Sequence, residues 1–285
     1  MFFTYAGIQL CLTVLPMKSG RMLSFGIAKI DEVFLGFQRG DFAAMFGSSL
    51  CRGLMFLLCV RCQLPYRKGG MNSQVVYVDG GNTFNPYAIS ALAQEYSLDP
   101  RSVLEGIFIS RAFTAHQLTA LVHERLEEAL KRYRSKLVII SDITGLFLDR
   151  DVPWEEAEDL YKKMTKSLSD LASRRRVIIV ASHPPRSYSR RSLSLKSILY
   201  GNANMVMGVR ESKGAPKFIL ENHPKILPFT INLPSNTATM DPFLKEDNPF
   251  LRFVPEKHPD PSTRSVGPRS NMLSKSATLK DFMEV

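Results

Sequence analysis

Four short runs constrain this chain more than anything else in it: VVYVD (Val75 to Asp79), GIFIS (Gly106 to Ser110), KLVIISD (Lys136 to Asp142) and RVIIVAS (Arg176 to Ser182). Each is rich in β-branched residues and alternates little, which describes strands buried on both faces, as in a parallel sheet. Amphipathic helical patterns lie between them. From Trp154 to Arg174, the residues Ala157, Leu160, Tyr161, Met164, Leu168 and Leu171 form one apolar stripe. Acids fill the first turn of that pattern and Arg174, Arg175 and Arg176 follow its last, which complements the helix dipole. The stretch from His116 to Tyr133 carries Glu127/Lys131 and Glu128/Arg132 at i,i+4, a solvated face. Strands alternating with helices predict an α/β fold with a mainly parallel central sheet flanked by helices, and ligands of such sheets bind beyond the carboxyl ends of the strands. After Ser182, NMVMGVRE, PKFILEN and LPFTINL read as an antiparallel carboxy-terminal extension. From about Ser235 the chain turns rich in Pro, Ser, Asn and Arg without periodicity, a flexible tail.

The 285 residues are 45% hydrophobic, enough for a substantial core. A formal net charge of +10 favours an anionic partner, nucleic acid before membrane, because no basic amphipathic helix stands out. Cys59 and Cys62 form a C-x-x-C pair, but no second pair or histidine cluster completes a zinc site. The pair reads as buried apolar cysteines on a helix, and no metal is expected. The opening MFFTYAGIQLCLTVLP is apolar but too short to span a bilayer, and it lacks a basic n-region, so an intracellular, cytoplasmic protein is expected.

MFGSSLCRGL (Met45 to Leu54) lies where a phosphate-binding loop belongs in such a sheet. A P-loop reads G-x-x-x-x-G-K-[ST], with backbone N–H groups around the phosphates, a lysine on the β/γ oxygens and a hydroxyl on Mg²⁺. Laid on Gly47, that spacing puts Arg52 at the second glycine, Gly53 at the lysine and Leu54 at the hydroxyl.

Further segments fall in a familiar order. LSFGIAKIDEVFLGFQRGDFAAMFG (Leu23 to Gly47) gives a Ser-x-Gly turn, a helix ending before a glycine and then a strand. YVDGGNTFNPYAI (Tyr77 to Ile89), SLDP (Ser97 to Pro100), RAFTAHQ (Arg111 to Gln117) and DITGLF (Asp142 to Phe147) follow. In this order the chain resembles the RecA/RadA recombinase core, and specifically a single-domain archaeal RadA paralogue, over roughly Leu23 to Pro234. The resemblance implies a RecA-like core at 23–234, an N-terminal extension at 1–22, a flexible linker at 235–273 and an interaction peptide at 274–285. The helical N-terminal DNA-binding domain of full recombinases is absent from the sequence.

The departures from the family pattern carry the functional expectation. The lysine position is Gly53. The catalytic glutamate that polarises the attacking water falls on Gly81, and the Walker B aspartate falls on Ser141, with Asp142 one residue later. Side chains alternate across a strand, so Asp142 should face away from the site unless the register slips. The family's polar sensor glutamine appears as His183. Phosphoryl transfer depends on positioning and charge neutralisation, so these losses together imply a fold without ATPase activity, and no ATP or Mg²⁺ cofactor. Arg52 retains a cation able to pair with a phosphate.

The segment Ser182 to Asn202 stands where the recombinases carry their second DNA-contacting loop and keeps its basic character. Arg186, Arg190, Arg191 and Lys196 supply positive charge, and Tyr188 a stacking surface for a base, so single-stranded DNA is the expected ligand. Arg210 and Lys213 sit on a hairpin where RecA-like proteins place cations that reach a neighbouring subunit's nucleotide, which implies a RadA-type recombinase or another paralogue as partner. SATLKDFM (Ser276 to Met283) resembles the sliding-clamp (PCNA) interaction motif, with Leu279, Phe282 and Met283 on one face of a short helical turn. The sequence thus points to a nucleoid-associated accessory factor in homologous recombination or DNA repair. Two alternatives stay open: an ATPase with a rebuilt site on Arg52, Asp142 and His183, and a scaffold that binds only protein partners.

Overall fold

The computed structural model describes residues 22–47, 49–184, 189–210 and 216–233. Eight strands form one sheet in the order β3-β2-β4-β5-β1-β6-β7-β8. They are β1 (Phe42–Gly47), β2 (Val75–Asp79), β3 (Ile107–Arg111), β4 (Leu137–Ser141), β5 (Ile178–His183), β6 (Met205–Arg210), β7 (Lys217–Asn222) and β8 (Phe229–Asn232). From β3 through β6 every pairing is parallel, and β7 and β8 are antiparallel. β1, β2, β4 and β5 are almost wholly buried, as their unbroken apolar runs require of strands covered on both faces.

Helices cover the two faces separately. The short α1 (Ala28–Asp31), α2 (Ser49–Gln63), α3 (Pro86–Glu95) and α4 (Pro100–Glu105) pack on one face, against Met45, Val75, Tyr77, Ile139 and Val180. On the other, α5 (Ala115–Ala120) runs through a π-helical turn, Leu121–Arg125, into α6 (Leu126–Arg132), beside α7 (Trp154–Arg175) and α8 (Arg190–Asn202). The stripe expected on α7 is buried as read, except that Leu160 is only partly covered. Cys59 and Cys62 lie free and fully buried in α2. No helix of the described residues is long and apolar enough to cross a membrane.

Two expectations change. NMVMGVRE does not belong wholly to the antiparallel extension: its strand, β6, pairs antiparallel with β7 but parallel with β1. The cause is α8, over a stretch whose basic residues predict a loop; a helical crossover returns the chain to the same end of the sheet. α8 forms because Ser189 caps it, accepting the Ser192 N–H at 3.1 Å, and because Leu195 and Leu199 bury at i,i+4.

The α1 region is tied to the core by Arg61 of α2. Its guanidinium donates to Ser24 O (2.7 Å), Ser24 Oγ (3.0 Å) and Tyr96 Oη (3.2 Å), and Asp31 accepts the Phe25 and Gly26 N–H groups of the same turn. This gives the Ser-x-Gly turn a physical reason: a Cβ on Gly26 would lie 2.2 Å from Arg61 Nη1. At the centre of the sheet, Gly208 of β6 faces Phe46, and a Cβ there would lie 2.0 Å from the Phe46 carbonyl oxygen, backbone that cannot yield. Gly208→Ala is therefore expected to destabilise the protein by about 2 kcal/mol or more. Gly201→Ala, in α8 with nothing within 4 Å, is expected to be neutral or stabilising by a few tenths of a kcal/mol. Urea titration of both variants checks the pair.

Candidate functional site at the carboxyl ends of the strands

Parallel pairing brings the carboxyl ends of β1, β2, β4 and β5 to one edge of the sheet, and with them Gly47, Gly81, Ser141, Asp142 and His183. The chain leaves β1 at Gly47 with φ +154°, and α2 is already helical at Ser49. Leu50, Cys51 and Arg52, which a phosphate loop would hold open, form its first turn instead. Cys51 packs back on the strand end: a Cβ on Gly47 would lie 2.6 Å from Cys51 Cβ and 2.9 Å from Val209 O. Gly53 is buried, Leu54 is part of the core, and Arg52 is half-buried with no ion pair among the described residues. Burial pushes the Cys51 thiol up to about 12, so it is not a nucleophile.

The polar centre of this edge is Asp79, which the sequence reading did not single out although it closes VVYVD. It is fully buried and accepts from Thr83 N (3.0 Å), Phe84 N (3.0 Å) and Ser141 Oγ (2.6 Å), with Arg111 Nε at 3.9 Å. Asp79 therefore holds the loop after β2 against β4, and Ser141 is its hydroxyl partner. β2 and β4 pair in regular register, with Asp79 opposite Ser141.

Asp142 leaves the strand in the left-handed region, φ +46°. Its N–H donates to Ser182 Oγ (3.1 Å) and its Oδ1 accepts from Gly145 N (2.9 Å). A simple alternation across the strand does not describe it. It lies instead beside Gly81, where a Cβ would come within 3.0 Å of Asp142 Cβ. Burial raises its carboxyl above the ordinary range, and the neighbouring Asp79 adds to the rise.

His183 turns toward α8. The Pro184 carbonyl can only accept, so Nδ1 carries the proton and donates to it (2.9 Å), and Nε2 accepts from Tyr200 Oη (3.1 Å). Both ring nitrogens are engaged. Burial pushes the imidazole down to about 4, helped by the nearby Lys196.

The basic segment divides. Arg190 is exposed on the first turn of α8. Arg191 is a tether: it donates to Phe147 O (3.0 Å) and Val152 O (2.9 Å) and lies 5.2 Å over the Trp154 ring, tying α8 to the start of α7. Lys196 sits 4.9 Å over the Tyr200 ring. Arg210 ends β6, exposed. Arg186, Tyr188, Lys213, and the clamp-like Leu279, Phe282 and Met283 lie outside the described residues, as do the N-terminal 1–21 and the tail. Among the described residues no group of three or more His, Cys, Asp or Glu is placed to hold a metal ion.

The family model that matches this chain is Rad51, over residues 19–183. The match ends at His183, the last residue of β5, and takes in more than half of the chain.

His183 makes a pH prediction. Its folded pKa near 4 lies below the ordinary 6.5, so between these values the folded state binds fewer protons than the unfolded chain. The stability it contributes is full above about pH 6.5 and is lost as pH falls toward 4, by about 3 kcal/mol in the limit. Urea denaturation of the protein and of His183→Gln, at about pH 7.5 and 4.5, is expected to show the parent losing about 2 kcal/mol or more relative to the variant on acidification.

Proposed function

The chain belongs to the Rad51 family, recombinases of the RecA/RadA type that act in DNA recombination and repair, and from that premise we propose an accessory member. It binds single-stranded DNA and a partner recombinase without hydrolysing ATP. One observation carries this reading: α2 starts at Ser49, two residues after β1 ends, and Cys51 fills the space over Gly47, so the open turn that would surround a phosphate is closed. These residues do not fit a magnesium nucleoside triphosphate. A P-loop needs an open turn, a lysine and a hydroxyl at the phosphates; here the turn is helical from Ser49, and the other two positions are a buried glycine and a core leucine.

The remaining departures support the same reading. Gly81 carries no carboxylate to orient water, and Ser141 donates its hydroxyl to Asp79 rather than holding a cation. Asp142 is committed to Gly145 N and His183 to Pro184 O and Tyr200. Losing cation, metal ligand and base together removes the terms on which phosphoryl transfer depends.

DNA binding rests on the segment between β5 and α8. Arg190 opens the helix at the carboxyl edge of the sheet, next to the stretch that holds Arg186 and Tyr188, where cations and a ring serve a single strand. The partner reading rests on Arg210 and Lys213 as cations offered to a neighbouring subunit, and on Leu279, Phe282 and Met283 as a tethered clamp-binding peptide.

Two measurements test the proposal. Calorimetric titration with Mg·ATP is expected to give no binding heat and phosphate release no turnover. Turnover abolished by Asp142→Ala or Arg52→Ala would establish the rebuilt ATPase instead. Anisotropy with labelled single-stranded DNA is expected to show salt-sensitive binding, indifferent to ATP and several-fold weaker in Arg190→Ala. No DNA binding at low salt would leave the scaffold.

A further inference from the structure

The amino-terminal ends of the strands form the opposite edge of the sheet. The segments that enter β1, β2, β4 and β5 are residues 38–41, 65–74, 132–136 and 174–177, and those strands are neighbours in the order β2-β4-β5-β1. Together the four segments hold nine arginines and lysines and a single acid, Asp41, which is buried. By contrast, residues 142–153, at the other edge, hold three aspartates and one arginine.

Hydrogen bonds join the four segments into one row. Arg39 Nε donates to Arg176 O (2.7 Å), Ile178 N to Lys136 O (2.8 Å), and Lys136 N to Ser73 Oγ (2.9 Å), while Ser73 Oγ donates to Arg134 O (3.3 Å). At the usual strand spacing the row is about 15 Å long, and about 17 Å of strand separates it from the Arg190 edge.

The ordinary explanation of such cations is compensation of helix dipoles. It covers Arg132, Arg174 and Arg175, at the last turns of α6 and α7, and Glu127 pairs with the latter two. It reaches Arg176, the C-cap of α7, Arg39, whose Nε bonds that residue's carbonyl, and Arg134, just past the C-cap of α6, but not Arg67 or Lys68; none of these five has an acidic group within 4 Å among the described residues. Arg134 and Arg176 adopt φ +49° and +51°, where the backbone favours Gly or Asn, so the turn itself does not call for arginine there.

We propose that this amino-terminal edge is a second nucleic-acid face, which grips the phosphate backbone of duplex DNA. Seven of the nine cations are arginine, the side chain whose planar fork suits phosphate oxygens. The aromatic rings of the row are committed to the protein: Tyr133 stacks on Phe108 with centroids 3.5 Å apart, and Tyr66 accepts from Lys136 Nζ at 2.8 Å. With Tyr133 stacked and Tyr66 held against Lys136, the row offers unpaired bases little ring surface, and the face suits a backbone whose bases are already paired. Of the exposed large apolar side chains only Tyr66 lies in these segments, so the face lacks the apolar anchors of a membrane surface.

The test uses the full chain and anisotropy with a labelled random-sequence duplex and with oligo(dT), between about 50 and 200 mM salt. The variant Arg67→Gln/Arg134→Asn/Arg176→Asn keeps residues that tolerate the left-handed backbone. It is expected to weaken duplex binding at least about tenfold, to lower the slope of log K against log salt by about 2 to 3, and to change oligo(dT) binding less than about threefold. Arg67→Gln/Lys68→Gln, at exposed positions with ordinary backbone, gives a smaller loss in the same direction and serves should the triple variant unfold. Duplex binding that is absent from the parent protein, or equal in affinity and slope in the folded variants, overturns the proposal. So does a variant that loses binding to poly-glutamate or anionic vesicles alone, since the face would then serve an acidic protein or a lipid surface.

Discussion

A parallel sheet covered on both faces leaves chemistry only two places to go, and the rest of this protein follows from that constraint. The strands from β2 to β1 bury apolar side chains against α2 and α3 on one face and α7 on the other. An uncompensated charge on either face would be expensive, so polar groups collect at the strand ends. The one fully buried carboxylate among the strands, Asp79, sits at such an end with three hydrogen-bond donors around it. Acids dominate the loop after β4, while arginines dominate the segments that enter the strands. Parallel pairing makes each collection a single edge, because every strand from β3 to β6 points the same way.

The carboxyl edge keeps the layout of a nucleotide site but uses its residues for structure. Ser141 and Asp79 clamp two strand ends together, Asp142 nucleates the turn into Gly145, and His183 braces α8 through Tyr200. Each of these groups makes hydrogen bonds within the protein itself. α2 completes the change. In a phosphate loop the strand-to-helix turn stays open around its ligand; a helix that begins at Ser49 closes that turn and seats Cys51 against the strand end. α2 thereby gains packing where a nucleotide fold would hold a ligand.

The sequence made much of this visible, and unevenly. β2 is read to the residue, and β3, β4 and β5 to within two residues, because unbroken β-branched runs have few other solutions. α7 shows in its stripe. α8 does not, since its basic and serine-rich surface hides the two leucines that fix it, and missing it turned β6 the wrong way. At the site, Gly53, Gly81 and Ser141 are legible as departures from a spacing. Asp79 was passed over because one aspartate at a strand end carries no signal until its donors, from residues 83, 84 and 141, are known.

By itself the sequence determined the layers, the parallel core, and which chemical groups are present or missing at each motif position, since these depend on local composition and period. Only the tertiary structure decided what those groups do. Arg190 and Arg191 are neighbours in the chain, yet one faces solvent and the other is bonded to carbonyls more than thirty residues away. The arginines of the amino-terminal edge come from segments far apart in sequence and meet because strand order brings them together. A side chain's role is fixed by its neighbours in space, and sheet pairing chooses those neighbours across distances that no local pattern records.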